Sequence, residues 1–125
     1  MIQGIDHIEL IVRDVEESIA FFQKMGFKLL TRTSHHGASA ELQLPGPNQP
    51  IFEIHQVSGE ENIGVNHIAF RVENAEAAYN DMREQGITSA NPPNFVQSTG
   101  RTTVNFRDPD GWRLQLVDAK RDQPQ

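Results

Sequence analysis

The chain contains the same strand-and-helix pattern twice, with the two copies 60 positions apart. The first copy opens with DHIELIV at residues 6–12, and the second opens with NHIAFRV at residues 66–72. In both segments apolar residues recur at alternate positions, which is the period of a strand with one buried face. This repeat constrains the fold, because a unit of about 60 residues buries too little apolar surface to be stable alone. We therefore expect the two copies to share one core.

A helix is predicted directly after each of these strands. Asp14 precedes VEESIAFFQKM and Asn74 precedes AEAAYNDMREQ, and both residue types are good helix N-caps. Gly26 and Gly86 stand where a helix commonly ends in the left-handed conformation. Apolar residues at helical spacing predict the buried faces, namely Ile19, Phe22 and Met25 in the first helix and Ala75, Ala78, Tyr79 and Met82 in the second.

Three short apolar or alternating runs follow each helix and predict strands. They span residues 27–33, 38–44 and 50–57 in the first half, and 87–90, 101–106 and 112–117 in the second. Turn-forming clusters separate the runs, and Asp108-Pro109-Asp110-Gly111 is the strongest of them. The order predicts an α+β fold of two tandem βαβββ modules, residues 4–57 and 64–118, within a single domain of residues 1–125.

Composition excludes several classes of function. The 17 acidic residues outnumber the 11 basic residues, so the net charge of −6 argues against nucleic acid and anionic membranes as partners. No apolar run approaches the length of a membrane span, and the first residues lack the pattern of a signal peptide. We therefore expect a cytoplasmic protein whose partner is a small-molecule substrate. The chain has no cysteine, so any metal must be held by nitrogen and oxygen atoms.

Candidate metal ligands occur at equivalent positions of the two halves. His7 and His67 open the two equivalent strands, and Glu53 and Gln115 lie in the last strand of each half, between apolar neighbours. Two imidazoles, one carboxylate and one amide oxygen suit one divalent ion such as zinc, nickel, manganese or ferrous iron. By contrast, His35 and His36 lie in a polar turn, where solvent exposure is the simpler interpretation.

Other residues are candidates for contact with a substrate, each with a simpler alternative. His55 shares a strand face with Glu53, so it either contacts substrate, hydrogen-bonds to the site, or is ordinary polar lining. Arg71 and Arg101 could neutralise a substrate carboxylate or phosphate, or could be surface arginines.

Four motifs of the chain occur together: DHIELIVRDVEESIAFFQKMGFKLL, IFEIHQ, NHIAFRV and GRTTVNFRDPDGWRLQLVD. In this combination the sequence resembles the vicinal oxygen chelate superfamily over residues 4–118. This superfamily includes glyoxalase I, methylmalonyl-CoA epimerase, extradiol dioxygenases, fosfomycin-resistance enzymes and bleomycin-binding proteins. The resemblance implies a mixed sheet that curls around a metal-bearing cup, with ligands on the first and last strands of each module. By position the implied ligands are His7, Glu53, His67 and Gln115. The resemblance also implies a homodimer, with the cup formed either within one chain or between two.

The reaction implied by the resemblance is metal-assisted proton transfer. Two neighbouring oxygens of the substrate would chelate the metal, which stabilises an enediolate-type intermediate as a Lewis acid. Glu53 is the nearest candidate base. Glu9 is a second candidate because it follows His7 on the same strand face, although it could equally be a salt-bridged wall residue.

Two departures from glyoxalase I weaken the specific expectation of a lactoylglutathione lyase. Gln115 stands where bacterial glyoxalase I has a glutamate, and an amide cannot act as a base. Ile11 stands where that enzyme has an arginine that grips glutathione. We therefore predict a glyoxalase-like lyase or isomerase without assigning its substrate.

Three further functions stay open from the sequence. Two histidines and one carboxylate also suit a ring-cleaving dioxygenase that uses ferrous iron, although dioxygenases of this superfamily usually place the carboxylate on the last strand. The others are a non-catalytic antibiotic-binding protein and a thiol transferase that resembles the fosfomycin-resistance enzymes.

Overall fold

The computed structural model describes residues 1–34 and 37–118, so the polar turn at His35 and His36 lies outside the described residues. The elements are β1 (Ile2–Val12), α1 (Val15–Lys24), β2 (Lys28–Thr33), β3 (Ser39–Gln43), β4 (Ile51–Gln56), β5 (Gly64–Val72), α2 (Ala75–Glu84), β6 (Asn94–Val96), β7 (Arg101–Arg107) and β8 (Arg113–Asp118). The order βαβββ therefore occurs twice, which confirms the predicted α+β class and the duplication.

The two helices begin where the sequence predicts, and each ends one residue before the end of its predicted stretch. The Asp14 side chain accepts a hydrogen bond from the Glu17 backbone N–H at 3.0 Å. In α2 the Asn74 side chain accepts the equivalent bond from Ala77 at 2.9 Å. Gly26 and Gly86 follow the helices with φ angles of 101° and 88°, which only glycine adopts without strain.

The first compact unit contains residues Asp6–Ile68. Strand β1 pairs in parallel with β4, and the antiparallel pairs β4–β3 and β3–β2 continue outward. Helix α1 covers one face of these strands. The core there consists of Val15, Ile19, Phe27, Ala40, Leu42 and Ile54, with Phe22 and Phe52 packed against it.

The prediction that Met25 belongs to this core is wrong. Met25 is the C-cap residue of α1, so it lies beyond the last full turn of the buried stripe, and 57% of it is exposed.

Leu42 gives a direct test of this core. We expect Leu42→Ala to lower the free energy of unfolding by about 2–5 kcal/mol, because the side chain is fully buried and its loss leaves a cavity. Leu44, just after β3, is 37% exposed and is the matched control, for which we expect a loss below about 1 kcal/mol. Urea denaturation followed by circular dichroism measures both, and equal losses would contradict the packing described.

The second compact unit contains Met1–Ile5 together with the described residues from Ala69 to Asp118. Strand β7 pairs antiparallel with β8 on one side and with β6 on the other. The core of this unit consists of Val72, Ala75, Ala78, Met82, Val104 and Leu116, with Tyr79 packed against it. The predicted stripe of α2 therefore faces this core. A single domain whose modules span 4–57 and 64–118 stays a proposal.

The prediction of a strand at 87–90 is wrong, and the short strand β6 lies later, at Asn94–Val96. The segment before β6 still contacts β7, since the backbone N–H of Asn91 donates to the Asn105 carbonyl at 2.9 Å. Pro92 and Pro93 supply no N–H groups, so regular pairing with β7 begins only after them.

The part of the chain that the structure describes contains no helix long and apolar enough to cross a membrane.

Candidate functional site

The first unit brings the imidazoles of His7 and His67 together. His7 lies on β1 and His67 on β5, and their Nε2 atoms are 3.1 Å apart. The ring centroids are 5.2 Å apart and the ring planes are nearly perpendicular, at 83°. Both residues belong to the same chain, so a single chain supplies the pair.

In each ring, Nδ1 is hydrogen-bonded to the side chain of the residue that precedes the histidine in the sequence. Nδ1 of His7 is 2.8 Å from an Asp6 carboxylate oxygen, and Nδ1 of His67 is 2.7 Å from the Asn66 side-chain oxygen. Oxygen atoms of these kinds accept hydrogen bonds, so Nδ1 carries the hydrogen in each ring and Nε2 presents its lone pair. Metal-binding histidines in proteins are typically held in this way.

The distance between the two Nε2 atoms fits a shared metal ion. Zinc–nitrogen bonds are about 2.0–2.1 Å long, so two ligands at angles of about 90–109° have their nitrogens about 2.9–3.4 Å apart. The observed 3.1 Å lies within this range. Two lone pairs that face each other at this distance repel unless a cation or a proton lies between them. The donor set of the pair therefore fits a divalent ion.

Glu53 lies beside this pair on β4, with its side chain 34% exposed. One of its carboxylate oxygens is 4.0 Å from Nδ1 of His7, so Glu53 approaches that ring on the side of Asp6. Glu53 is also the register partner of both Glu9 on β1 and Glu41 on β3, which places three carboxylates in one row across the sheet.

This environment raises the pKa of Glu53. Burial is the largest cause, and the nearby His7 opposes it. The negative charges of Glu9, Glu41 and Asp6 raise the pKa further. A cation bound next to Glu53 would offset these effects, because it stabilises the ionised carboxylate.

Glu9 and His55 form a buried pair behind His67. Nδ1 of His55 is 2.6 Å from one carboxylate oxygen of Glu9, and Nε2 of His55 is 3.0 Å from a carboxylate oxygen of Glu61. The other oxygen of Glu9 is 3.6 Å from Nδ1 of His67. The sequence left open whether His55 contacts substrate, hydrogen-bonds to the site or is polar lining. The structure shows hydrogen bonds within the site, and contact with substrate stays a prediction.

Three of the predicted site residues belong to the second unit. Gln115, on β8, donates from its side-chain amide to the Asn105 side-chain oxygen at 3.0 Å. Arg101 is 7% exposed, and its Nε donates to the Asp118 backbone carbonyl at 3.0 Å. Arg71 lies half-buried on β5. The carbonyl contact gives Arg101 a structural role within its own unit.

Within residues 1–34 and 37–118, no group of three or more histidine, aspartate or glutamate side chains has the arrangement of a complete metal site. The metal-like geometry that the structure shows is therefore that of the His7 and His67 imidazoles. Roles for Glu53 and Gln115 as further ligands stay predictions from the sequence.

Sequence reasoning missed the contacts of Asp6, Asn66 and Glu61. The first two could have been found, because an acceptor-bearing side chain precedes the histidine in both copies of the repeat. Nothing in the pattern marked Glu61, since it lies in the loop between β4 and β5 and has no equivalent in the other half.

Comparison with known proteins gives consistent results. A family model described as the Glyoxalase/Bleomycin resistance protein/Dioxygenase superfamily matches residues 4–116. The chain is 30% identical over 124 residues to a lactoylglutathione lyase of Salmonella typhimurium, which covers 91% of each chain. Among solved structures, methylmalonyl-CoA epimerase from Mycobacterium tuberculosis superposes with a TM-score of 0.76 at 18% identity, over 95% of this chain and 89% of the epimerase. A variant of the Streptomyces coelicolor epimerase in complex with 2-nitronate-propionyl-CoA has a TM-score of 0.74 at 21% identity, over 99% of this chain and 100% of that chain.

Proposed function

Because the chain belongs to the glyoxalase/bleomycin resistance protein/dioxygenase superfamily, we propose that it is a divalent-metal-dependent lyase or isomerase that moves a proton next to a carbonyl group. It is similar in sequence to a lactoylglutathione lyase and in fold to methylmalonyl-CoA epimerases, and proton transfer next to a carbonyl is a reaction that a metal site of this kind can assist. The observation that carries the proposal is the His7–His67 pair, whose Nε2 atoms face each other at 3.1 Å.

We assign the metal to His7 and His67, with Glu53 and the carbonyl oxygen of Gln115 as the remaining protein ligands. Zinc, nickel, manganese or ferrous iron suits this nitrogen and oxygen set. Such an ion, when bound, supplies Lewis-acid stabilisation of the negative charge that develops on the substrate oxygens. The protein adds only one ligand carboxylate, so a divalent ion together with its ligands would keep a formal charge of about +1.

Glu53 is the residue that we assign to proton transfer. Its carboxylate removes a proton from the carbon next to the carbonyl, and the electron pair of that C–H bond moves onto the carbonyl oxygen. The protonated Glu53 then returns the proton to the neighbouring carbon, as the electron pair of the enediolate-type anion forms the new C–H bond there. Glu53 takes this role once its carboxylate leaves the metal, and it lies beside the histidine pair, 4.0 Å from Nδ1 of His7. Glu9 is less suited, because it is 6% exposed and already accepts a hydrogen bond from His55.

Deuterium exchange tests this proposal. In deuterated water, we expect the metal-loaded protein to place deuterium on the carbon next to the carbonyl of a 2-hydroxy aldehyde, a hemithioacetal or an acyl-CoA substrate. A panel of these three substrate classes is followed by mass spectrometry. We expect chelation with EDTA to abolish the exchange and added zinc or nickel to restore it. Absence of exchange with every member of the panel, by protein shown to bind metal, would contradict the proposal.

A ring-cleaving dioxygenase is the second candidate, because two histidines and one carboxylate are also the donor set of oxygen-activating ferrous sites. It predicts oxygen consumption with a catechol in the presence of ferrous iron. Tight antibiotic binding without turnover would instead indicate a sequestering protein. For each candidate we propose a cytoplasmic homodimer that binds a small molecule.

A further inference from the structure

A line of three side chains connects the loop between β4 and β5 with the His67 imidazole. It runs from Glu61 through His55 to Glu9, and we call it the Glu61–His55–Glu9 chain. Its first member is fixed within the loop. The Glu61 carboxylate accepts a hydrogen bond from the Ser58 backbone N–H at 3.1 Å, and the Glu61 backbone N–H donates to the Ser58 carbonyl at 3.1 Å. The second carboxylate oxygen lies 3.0 Å from Nε2 of His55.

His55 connects Glu61 with Glu9 through hydrogen bonds at its two ring nitrogens. The ring is 3% exposed, and its two nitrogens face carboxylate oxygens at 3.0 Å and 2.6 Å. Each ring nitrogen therefore lies within hydrogen-bonding distance of a carboxylate oxygen on its own side. Rotation of the ring would break both bonds within a buried environment, where unmade hydrogen bonds are costly. The His55 ring thus fixes the position of Glu9, and Glu61 fixes the orientation of the His55 ring.

Glu9 places a carboxylate near Nδ1 of His67, as Asp6 does near Nδ1 of His7. The Nδ1 atom of His7 is hydrogen-bonded to a carboxylate, whereas the equivalent partner of His67 is the neutral amide of Asn66. The second oxygen of Glu9 lies 3.6 Å from Nδ1 of His67. This distance is too long for a hydrogen bond, but it is short enough for a strong electrostatic interaction between a buried carboxylate and the ring. A negative charge at this distance stabilises the positive charge that an imidazole gains when its Nε2 binds a cation.

We propose that Glu61, His55 and Glu9 act as positioning residues that hold a carboxylate against His67 and thereby strengthen it as a metal ligand. This inference rests on the proposed metal-binding role of His67. It assigns a function to the loop between β4 and β5, because the loop determines where Glu61 stands. It also gives a reason for the buried Glu9–His55 pair beside His67, whereas His7 has its own aspartate, Asp6.

The test uses three substitutions and one control in the full chain. Glu9→Gln keeps an acceptor for His55 but removes the charge, so we expect zinc affinity to fall about 10–100-fold, as for other partners of metal-binding histidines. Glu61→Ala should lower the affinity in the same direction by a smaller factor, and Glu61→Gln should restore most of it, because its amide oxygen still accepts from His55. Glu60→Ala, at an exposed position of the same loop, should leave the affinity unchanged.

A second measurement separates positioning from general loss of stability. Long-range nitrogen–proton NMR of the metal-free protein reports the two ring nitrogens of His67. We expect Glu9→Gln and Glu61→Ala to shift the Nδ1 signal of His67 while the melting temperature and the His7 signals stay close to those of the wild type.

The outcomes distinguish this inference from the function on which it rests. If the wild type binds zinc but Glu9→Gln and Glu61→Ala alter neither the affinity nor the His67 signals, the positioning role is wrong and the metal site stands. If the wild type binds no divalent metal, the proposed function is wrong. An unchanged His67 spectrum in the variants would then also reject the contact itself. Glu61 is exposed on a loop, so its substitutions are readable even if buried variants fold poorly.

Discussion

His67→Ala is expected to lower the affinity for a divalent metal by at least about 100-fold, and His7→Ala is expected to do the same. Each substitution removes one of two imidazoles whose Nε2 atoms are 3.1 Å apart, so the ion loses one of its two nitrogen ligands. The double substitution should cost little more than either single one, because ligands of one ion act as a unit. Calorimetric titration with zinc measures all three, and two independent, additive losses would contradict a shared ion.

Mixing the two single variants provides the matched control. Because one chain supplies both imidazoles, a mixture of His7→Ala and His67→Ala chains should bind metal no better than either variant alone. If the pair were assembled from two chains, mixing would restore a quarter to a half of the wild-type sites. Recovery of binding on mixing would therefore contradict the pairing described.

Glu53→Gln is expected to slow deuterium exchange into the substrate by about 10²–10⁴-fold, which is the usual contribution of a general base. The amide keeps the size and the carbonyl oxygen of the side chain but cannot accept the proton. Exchange rates at saturating metal and substrate, measured by mass spectrometry, test this directly. A variant that exchanges at the wild-type rate would place the base elsewhere, and Glu9→Gln would then be the next substitution to measure.

The same variant should not be less stable than the wild type when metal is absent. Burial raises the pKa of Glu53, so the folded state favours the protonated form. The wild type and Glu53→Gln should therefore be similarly stable below about pH 4, where the carboxyl group is protonated in both states. As the pH rises, the wild type loses stability relative to the variant. Urea denaturation at both ends of this range checks the sign, and a less stable variant at pH 7 would contradict it.

The duplication allowed much of the fold to be predicted, because each copy repeats its caps, its helix and its stop glycine at one offset. Asp14 and Asn74 cap the helices as expected, and the imidazoles of His7 and His67 lie in contact. The caps follow from local patterns, and the contact between the two imidazoles follows from their equivalent positions in the repeat.

The remainder depended on contacts between distant positions. The hydrogen bond from His55 to Glu9 joins residues 46 positions apart, and no pattern in either strand marks it. Met25 has a helical spacing that predicts burial, yet α1 ends at Lys24 and Met25 is exposed. The segment 87–90 has strand-like residues, but the two prolines that follow delay regular pairing to β6.

The most direct test of the metal site is an NMR titration of the imidazole nitrogens with zinc. Both Nε2 signals, those of His7 and His67, should shift together toward metal-bound values and saturate at one equivalent per chain. The Nδ1 signals should stay those of a protonated nitrogen, because the Nδ1–H groups donate hydrogen bonds to the side-chain oxygens of Asp6 and Asn66. If zinc shifts neither Nε2 signal, or shifts one without the other, the two imidazoles do not share an ion and the proposed metal centre is wrong.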